Sequence, residues 1–250
     1  MDLGLAGKKA IITGGKRGLG FATADLLAEE GADVAICARG DVTEAVEALR
    51  KHGHKVVGAG IDVSDPDAYK GWLQSAIDEL GGCDIFVHNV SGASGKGEDG
   101  WKMNLELDVF GLTRAAEVIV PAMEAGGGGA IVCLSSIAAQ EEFAGPGSFG
   151  PMKAAMTAYA SNLSQSLAPK GIRVNIVSPG PVFFEGGNWD KIKTHMEAFF
   201  DATVAKMPLK RLGEPREIAN TIAFLASPAA SLITGANVTI DGGYTKRIDF

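Results

Sequence analysis

The chain has 250 residues, of which 46% are hydrophobic and 21% are charged. This is enough apolar material to bury one large core, and too much for a disordered chain. Thirty acidic residues against 23 basic ones give a net charge of −7. This balance argues against a nucleic-acid partner, because phosphate backbones select basic surfaces.

The three cysteines, Cys37, Cys83 and Cys133, lie far apart and show no metal-binding spacing. They are typical of reduced, buried thiols in a reducing compartment. No apolar run reaches the roughly 18 residues of a membrane helix. The first residues run directly into a strand-like segment without a signal-peptide layout. We therefore expect a cytoplasmic protein with no membrane span and no metal site.

Short runs rich in Val and Ile alternate with longer amphipathic runs along the chain. In order, the pattern predicts strand 9–13, helix 19–30, strand 33–38, helix 42–51, strand 54–61, helix 66–80, strand 84–89, helix 101–125, strand 130–135, helix 150–168, strand 173–178, helix 215–226 and strand 237–241. Alternation of this kind is typical of a parallel sheet with right-handed crossovers. The predicted fold class is therefore α/β, a single domain over 1–250 with a doubly wound, Rossmann-type parallel sheet of about seven strands and helices on both faces.

A glycine-rich turn, TGGKRGLG, follows the first predicted strand and opens the first predicted helix. Glycines at such a junction let the backbone approach a pyrophosphate, and the helix N-terminus offers free N–H groups and a positive dipole end. An ordinary βα turn is the alternative, but the position in this pattern favours a dinucleotide site. The candidate cofactor-binding residues here are Gly14, Lys16, Arg17, Gly18, Leu19 and Gly20.

This turn resembles the cofactor turn of the short-chain dehydrogenase/reductase family. Further segments resemble that family across nearly the whole chain: Asp62-Val63, Asn89 with Gly92, Ser178-Pro179-Gly180, and Asp241-Gly242-Gly243. The resemblance implies a nicotinamide cofactor, with Asp62 and Val63 near adenine and Pro179 and Gly180 on the nicotinamide side. It also implies that Val182 reaches the nicotinamide carboxamide through its backbone.

The end of the second predicted strand indicates which dinucleotide binds. An acidic residue there would accept hydrogen bonds from the ribose 2′-hydroxyl and repel a 2′-phosphate. This chain has Arg39 instead, and Lys16 and Arg17 add positive charge from the glycine-rich turn. The predicted cofactor is NADP(H), although Asp41 lies close by and the three cations could also be solvated surface charges.

In the family that the chain resembles, a tyrosine hydroxyl donates the proton in carbonyl reduction. A lysine four residues later tunes that hydroxyl and holds the cofactor ribose, and a serine binds the carbonyl oxygen. The corresponding positions hold Ser136, Lys153 and, in place of the tyrosine, Phe149. Phe149 cannot give or take a proton. Either the chain is an engineered variant of an active reductase, or it is a natural member that uses another group or none.

The family also has an asparagine that bends a long helix and holds a water near the lysine. Asp108 stands at the corresponding position, and Asn104 lies one helical turn earlier as the alternative. An aspartate would hold the same water but would add a negative charge near Lys153.

The region 181–210 is expected to cover the substrate. Its apolar residues from 189 to 204 recur at helical spacing, which predicts one amphipathic lid helix. The candidate substrate contacts are Gln140, Phe143, Phe183, Phe184 and Trp189. The predicted substrate is a ketone, or its secondary alcohol, with a sizeable apolar or aromatic part.

The resemblance further implies a homo-oligomer, with a tetramer favoured, that pairs through the helices at 101–125 and 150–168 and the C-terminal end. Two functions remain open. The chain is either an NADP(H)-dependent carbonyl reductase or alcohol dehydrogenase that lacks its acid, or a non-catalytic NADP(H)-binding sensor or assembly protein.

Overall fold

A parallel sheet of seven strands forms the centre of the computed structural model, which describes residues 2–92, 95, 97–142 and 145–247. The strands are β1 (Lys9–Thr13), β2 (Asp33–Ala38), β3 (Val56–Gly60), β4 (Ile85–His88), β5 (Gly129–Leu134), β6 (Ile172–Pro179) and β7 (Asn237–Ile240). Their order across the sheet is β3-β2-β1-β4-β5-β6-β7, and every neighbouring pair is parallel. The predicted doubly wound parallel sheet is therefore confirmed.

Helices cover both faces of this sheet. Among the described residues, the α-helices are α1 (Gly18–Glu29), α2 (Thr43–Arg50), α3 (Pro66–Leu80), α4 (Gly97–Asn104), α5 (Gly111–Ala125), α6 (Phe149–Leu167), α7 (Asn188–His195), α8 (Glu197–Lys206) and α9 (Pro215–Ala226). Helices α1, α2 and α9 share one core cluster with Ala10 and Ile12 of β1, whereas α3, α5 and α6 share another with Ile11. Successive side chains of a strand point to opposite faces, so β1 contributes to both cores.

Local capping residues set the two ends of helix α3. Asp65 caps α3, since its side chain accepts hydrogen bonds from the N–H groups of Asp67 and Ala68, and Pro66 occupies the first helical position. Gly81 ends the same helix in the left-handed conformation, with φ of 76°. These signals explain why α3 has the predicted bounds.

Two predicted helices differ from the structure. The helix expected over 101–125 contains a π-helical segment, Leu105–Phe110, between α4 and α5. The lid expected as one helix is two, because Met196 leaves the helical region with φ of −142° and ψ of 48°. The break turns α8 back on α7, so that Trp189 stacks on Phe199 at a ring-centroid distance of 6.0 Å.

The connections on either side of β1 place a crevice at the carboxyl ends of the strands. β1 pairs with β2 on one side and with β4 on the other, so this is the point where the strand order reverses. Ligands of doubly wound sheets bind at such a point. Separately, no helix in the described part of the chain is long and apolar enough to cross a membrane.

Candidate functional site

The glycine-rich turn between β1 and α1 is a tight backbone structure that side chains would disrupt. Gly14 has φ of 70°, which disfavours residues with a Cβ. A Cβ at Gly20 would lie 2.3 Å from the carbonyl oxygen of Gly14. Asn89 holds the turn from the neighbouring strand end, since its Nδ2 donates to the carbonyl oxygens of Thr13 (2.9 Å) and Gly14 (3.2 Å).

Beyond this turn lies a cavity of about 500 Å³, called here the dinucleotide cavity. Its lining residues are Gly14, Lys16, Arg17, Leu19, Ala38, Arg39, Ile61, Asp62, Val63, Asn89, Val90, Ser91, Leu107 and Phe184. Helix α1 begins at this cavity, and no side chain caps its first N–H groups. The cavity thus offers backbone donors and a positive helix dipole to an anionic ligand.

Three exposed cations border the dinucleotide cavity: Lys16, Arg17 and Arg39. The carboxylate of Asp62 is held by the hydroxyl and N–H of Ser64, and these bonds, followed by Arg39, lower its pKa. Asp41, which could have disfavoured a phosphate, does not line this cavity. Its carboxylate accepts hydrogen bonds from the N–H and hydroxyl of Thr43, which lower its pKa.

The turn after β6 approaches the end of β7 closely. A Cβ at Gly180 would lie 2.6 Å from the Cβ of Asp241, so only glycine fits there without a shift. Val182 forms a parallel bridge with Gly213 through the N–H of Phe183 and the carbonyl of Pro181. This pairing leaves the N–H of Val182 itself facing away from Gly213. Pro179, Gly180, Val182, Gly18, Gly20 and Lys153 are not among the residues that line the dinucleotide cavity.

The structure does not bring the predicted substrate contacts together. Phe183 and Trp189 pack in a lid cluster with Met207, Leu212 and Phe200. Phe184 points the other way and lines the dinucleotide cavity. Neighbouring side chains of an extended segment point in opposite directions, which separates the two rings.

A second cavity, of about 640 Å³, lies between α4, the start of α6 and the loop after β5. Gln140, Phe149 and Trp101 are among the residues that line it. Its position makes it the candidate substrate cavity. Phe143, also predicted to contact substrate, lies outside the described residues.

A buried ion pair joins α6 to the π-helical segment. Lys153 Nζ lies 2.9 Å from Asp108 Oδ1, and it also donates to the carbonyl oxygen of Leu134 (2.6 Å). The lysine side chain is 3% exposed and the aspartate 0%. Burial alone would raise the pKa of Asp108, but Lys153 and Asn104 outweigh it and the pKa is lowered. Asp108 is therefore ionised at neutral pH.

Hydrogen bonds extend this pair to the start of α6. Asn104 Nδ2 donates to Asp108 Oδ2 (2.7 Å), and the hydroxyl of Ser148 donates to Asn104 Oδ1 (2.8 Å). Asp108 lies inside the π-helical segment, and Asn104 immediately precedes that segment. Because the two side chains are hydrogen-bonded, both candidates for the helix-bending position belong to one network. Ser148 itself lines the second cavity.

The three predicted catalytic positions lie around the first turn of α6 but have different surroundings. Ser136 ends the connection from β5, and its Oγ accepts from the N–H of Ala138 (3.1 Å). Gly150 lets α6 approach that turn, since a Cβ there would lie 2.5 Å from the carbonyl oxygen of Ala138. Phe149 lines the second cavity, whereas the ammonium group of Lys153 faces Asp108.

His88, at the end of β4, lies fully buried beside this ion pair. Its Nε2 donates to the carbonyl oxygen of Asp108 (3.2 Å), and its Nδ1 has no hydrogen-bond partner among the described residues. Burial, followed by the charge of Lys153, lowers its pKa to about 4. His88 is therefore neutral at physiological pH.

Sequence reasoning missed Ser148 and His88. The contact of Ser148 with Asn104 spans 44 residues, and no local pattern indicates it. For His88 the sequence did hold a signal, since this polar residue directly follows the three apolar residues of β4. A polar side chain that is buried at such a position needs a partner or a role in binding.

The residues of the dinucleotide cavity fit a dinucleotide. The glycines of the turn, at which a Cβ would clash with neighbouring atoms, leave the backbone bare, so that a pyrophosphate can approach it. The uncapped start of α1 supplies hydrogen-bond donors for that pyrophosphate. The lining runs from the ends of β2 and β3 past the glycine-rich turn to the end of β4, which is the crevice where doubly wound sheets bind dinucleotides.

Comparisons with known proteins show the family of the chain. A family model described as enoyl-(acyl carrier protein) reductase matches residues 14–245. Isoepoxydon dehydrogenase of Aspergillus clavatus is 37% identical over 246 residues, which cover 96% of this chain and 95% of that protein. Cis-4-hydroxycyclohexanecarboxylate dehydrogenase of Sinomonas cyclohexanicum is 36% identical over 256 residues, which cover 98% and 99%.

Solved structures agree as well. The crystal structure of L-sorbose reductase from Gluconobacter frateurii, complexed with NADPH and L-sorbose, matches with a TM-score of 0.92 and 31% identity over 99% of this chain and 100% of that one. The fold and cavity thus define a doubly wound, dinucleotide-binding oxidoreductase. Within that class, the chain belongs to the short-chain dehydrogenase/reductase family.

The buried ion pair yields a stability prediction. Lys153→Met leaves the Asp108 carboxylate buried without its counter-charge, so we expect the free energy of unfolding to fall by about 3–5 kcal/mol. Adding Asp108→Asn removes the orphaned charge, and the double variant should be more stable than Lys153→Met alone. Urea unfolding at neutral pH measures both. A double variant no more stable than Lys153→Met would contradict this account of the pair.

His88 yields a pH prediction. Its pKa falls from an ordinary value of 6.5 to about 4 on folding, so the unfolded chain takes up a proton first as the pH drops. The stability that neutral His88 contributes is complete above pH 6.5 and is lost as the pH falls toward 4. Between pH 7.5 and pH 5 the loss should be about 2 kcal/mol.

His88→Asn should remove most of that loss, as measured by urea unfolding at the two pH values. The exposed His195 provides the matched control, because His195→Asn should leave the pH dependence of the wild type intact. A wild-type pH dependence in the His88→Asn variant would assign the effect to other groups.

Proposed function

We propose that the chain binds NADP(H) and interconverts a ketone and its secondary alcohol, with weak or absent activity because residue 149 is phenylalanine. The observation that carries the proposal is the dinucleotide cavity with Lys16, Arg17 and Arg39 at its border. Three cations there suit the extra phosphate of NADP(H). The NADPH complex of the similar L-sorbose reductase supports the same choice.

Arg39 is the residue most directly placed to select the cofactor. It immediately follows β2, where a member that prefers NAD(H) would carry an acidic residue. Its guanidinium offers paired donors that match a phosphate. Asp41 remains negatively charged, but its carboxylate accepts hydrogen bonds from Thr43 and is not among the residues that line the dinucleotide cavity.

The second cavity supports a substrate of moderate size with an apolar part. At about 640 Å³ it is large enough for a ring, and the aromatic side chains of Trp101 and Phe149 line it. Two similar proteins are named as dehydrogenases of isoepoxydon and of a hydroxycyclohexanecarboxylate, and a third as a reductase of L-sorbose. Compounds of these kinds are therefore the first to test.

The residues of the chain near the reacting carbon would have different roles in the reaction. NADPH, when bound, supplies the hydride for reduction. Ser136 would hydrogen-bond the carbonyl oxygen, because its Oγ accepts from the N–H of Ala138 and retains its own proton to donate. Lys153 and Asp108 provide fixed charges behind α6. Phe149 supplies no proton, so turnover depends on a slower source such as water.

A non-catalytic role is the second candidate, and one observation favours it. The ammonium of Lys153 is sealed between Asp108 and the carbonyl of Leu134, and no hydroxyl stands at residue 149. A protein with this arrangement could bind NADP(H) as a sensor or assembly element. Whether the phenylalanine is natural or engineered does not change the chemistry available.

We also propose that the chain forms a homo-oligomer, with a tetramer favoured. Trp101, Met103 and Phe110, all on or beside the helix pair that would form the contact, expose between 38% and 45% of their surface. On α6, Ala155 and Ala158 are exposed and permit close approach of a second helix. Ala160, on the same helix, is fully buried in the core and is not available to such a contact.

Arg39 tests the cofactor assignment. Arg39→Asp removes a phosphate donor and introduces repulsion, so the preference for NADPH over NADH should fall by about 10- to 100-fold. Fluorescence titration of both cofactors measures it. Lys51→Asp, the same charge change at an exposed position on the end of α2, should leave the preference unaltered. An unchanged preference in Arg39→Asp would refute the assignment.

Phe149 tests the catalytic proposal. Phe149→Tyr supplies the missing hydroxyl, so kcat/KM should rise by about 10²–10⁴-fold on an accepted substrate. The assay follows NADPH oxidation with L-sorbose and aromatic or cyclic ketones, and NADP⁺ reduction with cis-4-hydroxycyclohexanecarboxylate. Phe149→Leu should remain as slow as the wild type. Retained NADPH binding without turnover of any compound by Phe149→Tyr would favour the non-catalytic role.

A further inference from the structure

One aromatic ring connects the segment after β6 with the glycine-rich turn. Among the described residues of the region 181–210, Phe184 alone lines the dinucleotide cavity. The other described lining residues come from the carboxyl ends of β1 to β4 and the segments directly after them, or from the π-helical segment. Phe184 therefore brings the region 181–210 to the wall of the dinucleotide cavity.

The ring of Phe184 lies between two glycines. A Cβ at Gly18 would be 2.6 Å from its Cζ, and a Cβ at Gly187 would be 2.9 Å from the same atom. Both positions thus need the absence of a side chain for the ring to occupy its place. Gly18 is the first residue of α1, next to the uncapped N–H groups that suit a pyrophosphate.

Hydrogen bonds hold the residues around the ring in a defined turn. The N–H of Gly187 donates to the carbonyl of Phe184 (3.0 Å), and the N–H of Gly186 donates to Asp190 Oδ2 (2.9 Å). Arg17 Nη1 donates to the carbonyl of Gly186 (3.4 Å), which ties this turn to the glycine-rich turn a second time. We call residues 183–187 the strap.

The neighbouring ring of Phe183 faces the opposite side of the strap. It packs edge-on against Phe200 at a centroid distance of 6.3 Å, and Lys193 Nζ lies 5.3 Å from its centroid. The strap therefore has one ring in the lid cluster and one ring on the glycine-rich turn. Any displacement of the strap from the glycine-rich turn would withdraw Phe184 from the dinucleotide cavity.

We propose that Phe184 is a latch that sets how long a nicotinamide dinucleotide stays bound. The proposal rests on the proposed NADP(H)-binding function. With the ring seated between Gly18 and Gly187, the strap closes one wall of the cavity, so a bound dinucleotide leaves only after the ring has withdrawn. The residue acts on cofactor release and contributes no group to the reaction.

Stopped-flow fluorescence tests the latch on the full chain: NADPH is bound first and then displaced with excess NADP⁺, and the dissociation rate is recorded. Phe184→Ala removes the ring, and Gly187→Ala adds a Cβ that the seated ring does not accommodate. Both variants should release NADPH about 10- to 100-fold faster. Phe184→Leu, which keeps an apolar side chain, should fall between Phe184→Ala and the wild type.

Phe183→Ala is the matched control, because it removes the neighbouring ring from the other side of the strap. Its dissociation rate should stay within about twofold of the wild type, well below the change expected for the latch. Equal acceleration by Phe183→Ala and Phe184→Ala would show general loosening and would overturn the latch. Wild-type dissociation rates in both Phe184→Ala and Gly187→Ala would also overturn it. A wild-type chain that binds neither NADPH nor NADH would instead overturn the proposed function, and the latch with it.

Discussion

The side-chain amide of Asn89 holds together the strand ends on which the site depends. It bonds the carbonyl oxygens of Thr13 and Gly14, while its N–H donates to the hydroxyl of Thr13. These contacts cross from β4 to β1, where the strand order of the sheet reverses. Without them, the two strand ends would be joined by the sheet ladder below and by the longer hydrogen bonds of the Thr13 hydroxyl with Val87 and Val90. The glycine-rich turn, the start of α1 and the cavity beyond them all take their positions from this junction.

Most of the fold could be predicted because its signals are local. Val- and Ile-rich runs mark strands buried on both faces, and β1, β2, α3 and α9 have the predicted bounds. The exceptions depend on tertiary contacts. The π-helical segment forms where Asp108 turns inward to a lysine 45 positions later in the chain, and the lid breaks at Met196 so that aromatic rings of α7 and α8 can stack.

The candidate site was predictable at its cofactor end and less so at its substrate end. Gly14, Arg39 and Asn89 follow strand ends, where topology alone brings them to one crevice. Phe183 and Phe184 are adjacent in sequence, and only the path of the strap shows that one packs in the lid cluster and the other on Gly18. Ser148 could not be predicted either, because its partner Asn104 lies on a separate helix.

In the proposed function Phe149 stands at the family's tyrosine position, so residues 108 and 149 both bear on Lys153. In the family pattern, a lysine beside a tyrosine hydroxyl favours the ionised form of that hydroxyl through its positive charge. Here Phe149 has no hydroxyl to tune, and Lys153 remains buried with an ammonium group that needs compensation. Asp108 supplies that compensation at 2.9 Å, which a neutral asparagine could not do. The carboxylate would also weaken the influence of Lys153 on any hydroxyl placed at residue 149. The electrostatics around Lys153 thus favour a buried ion pair over a tuned proton donor.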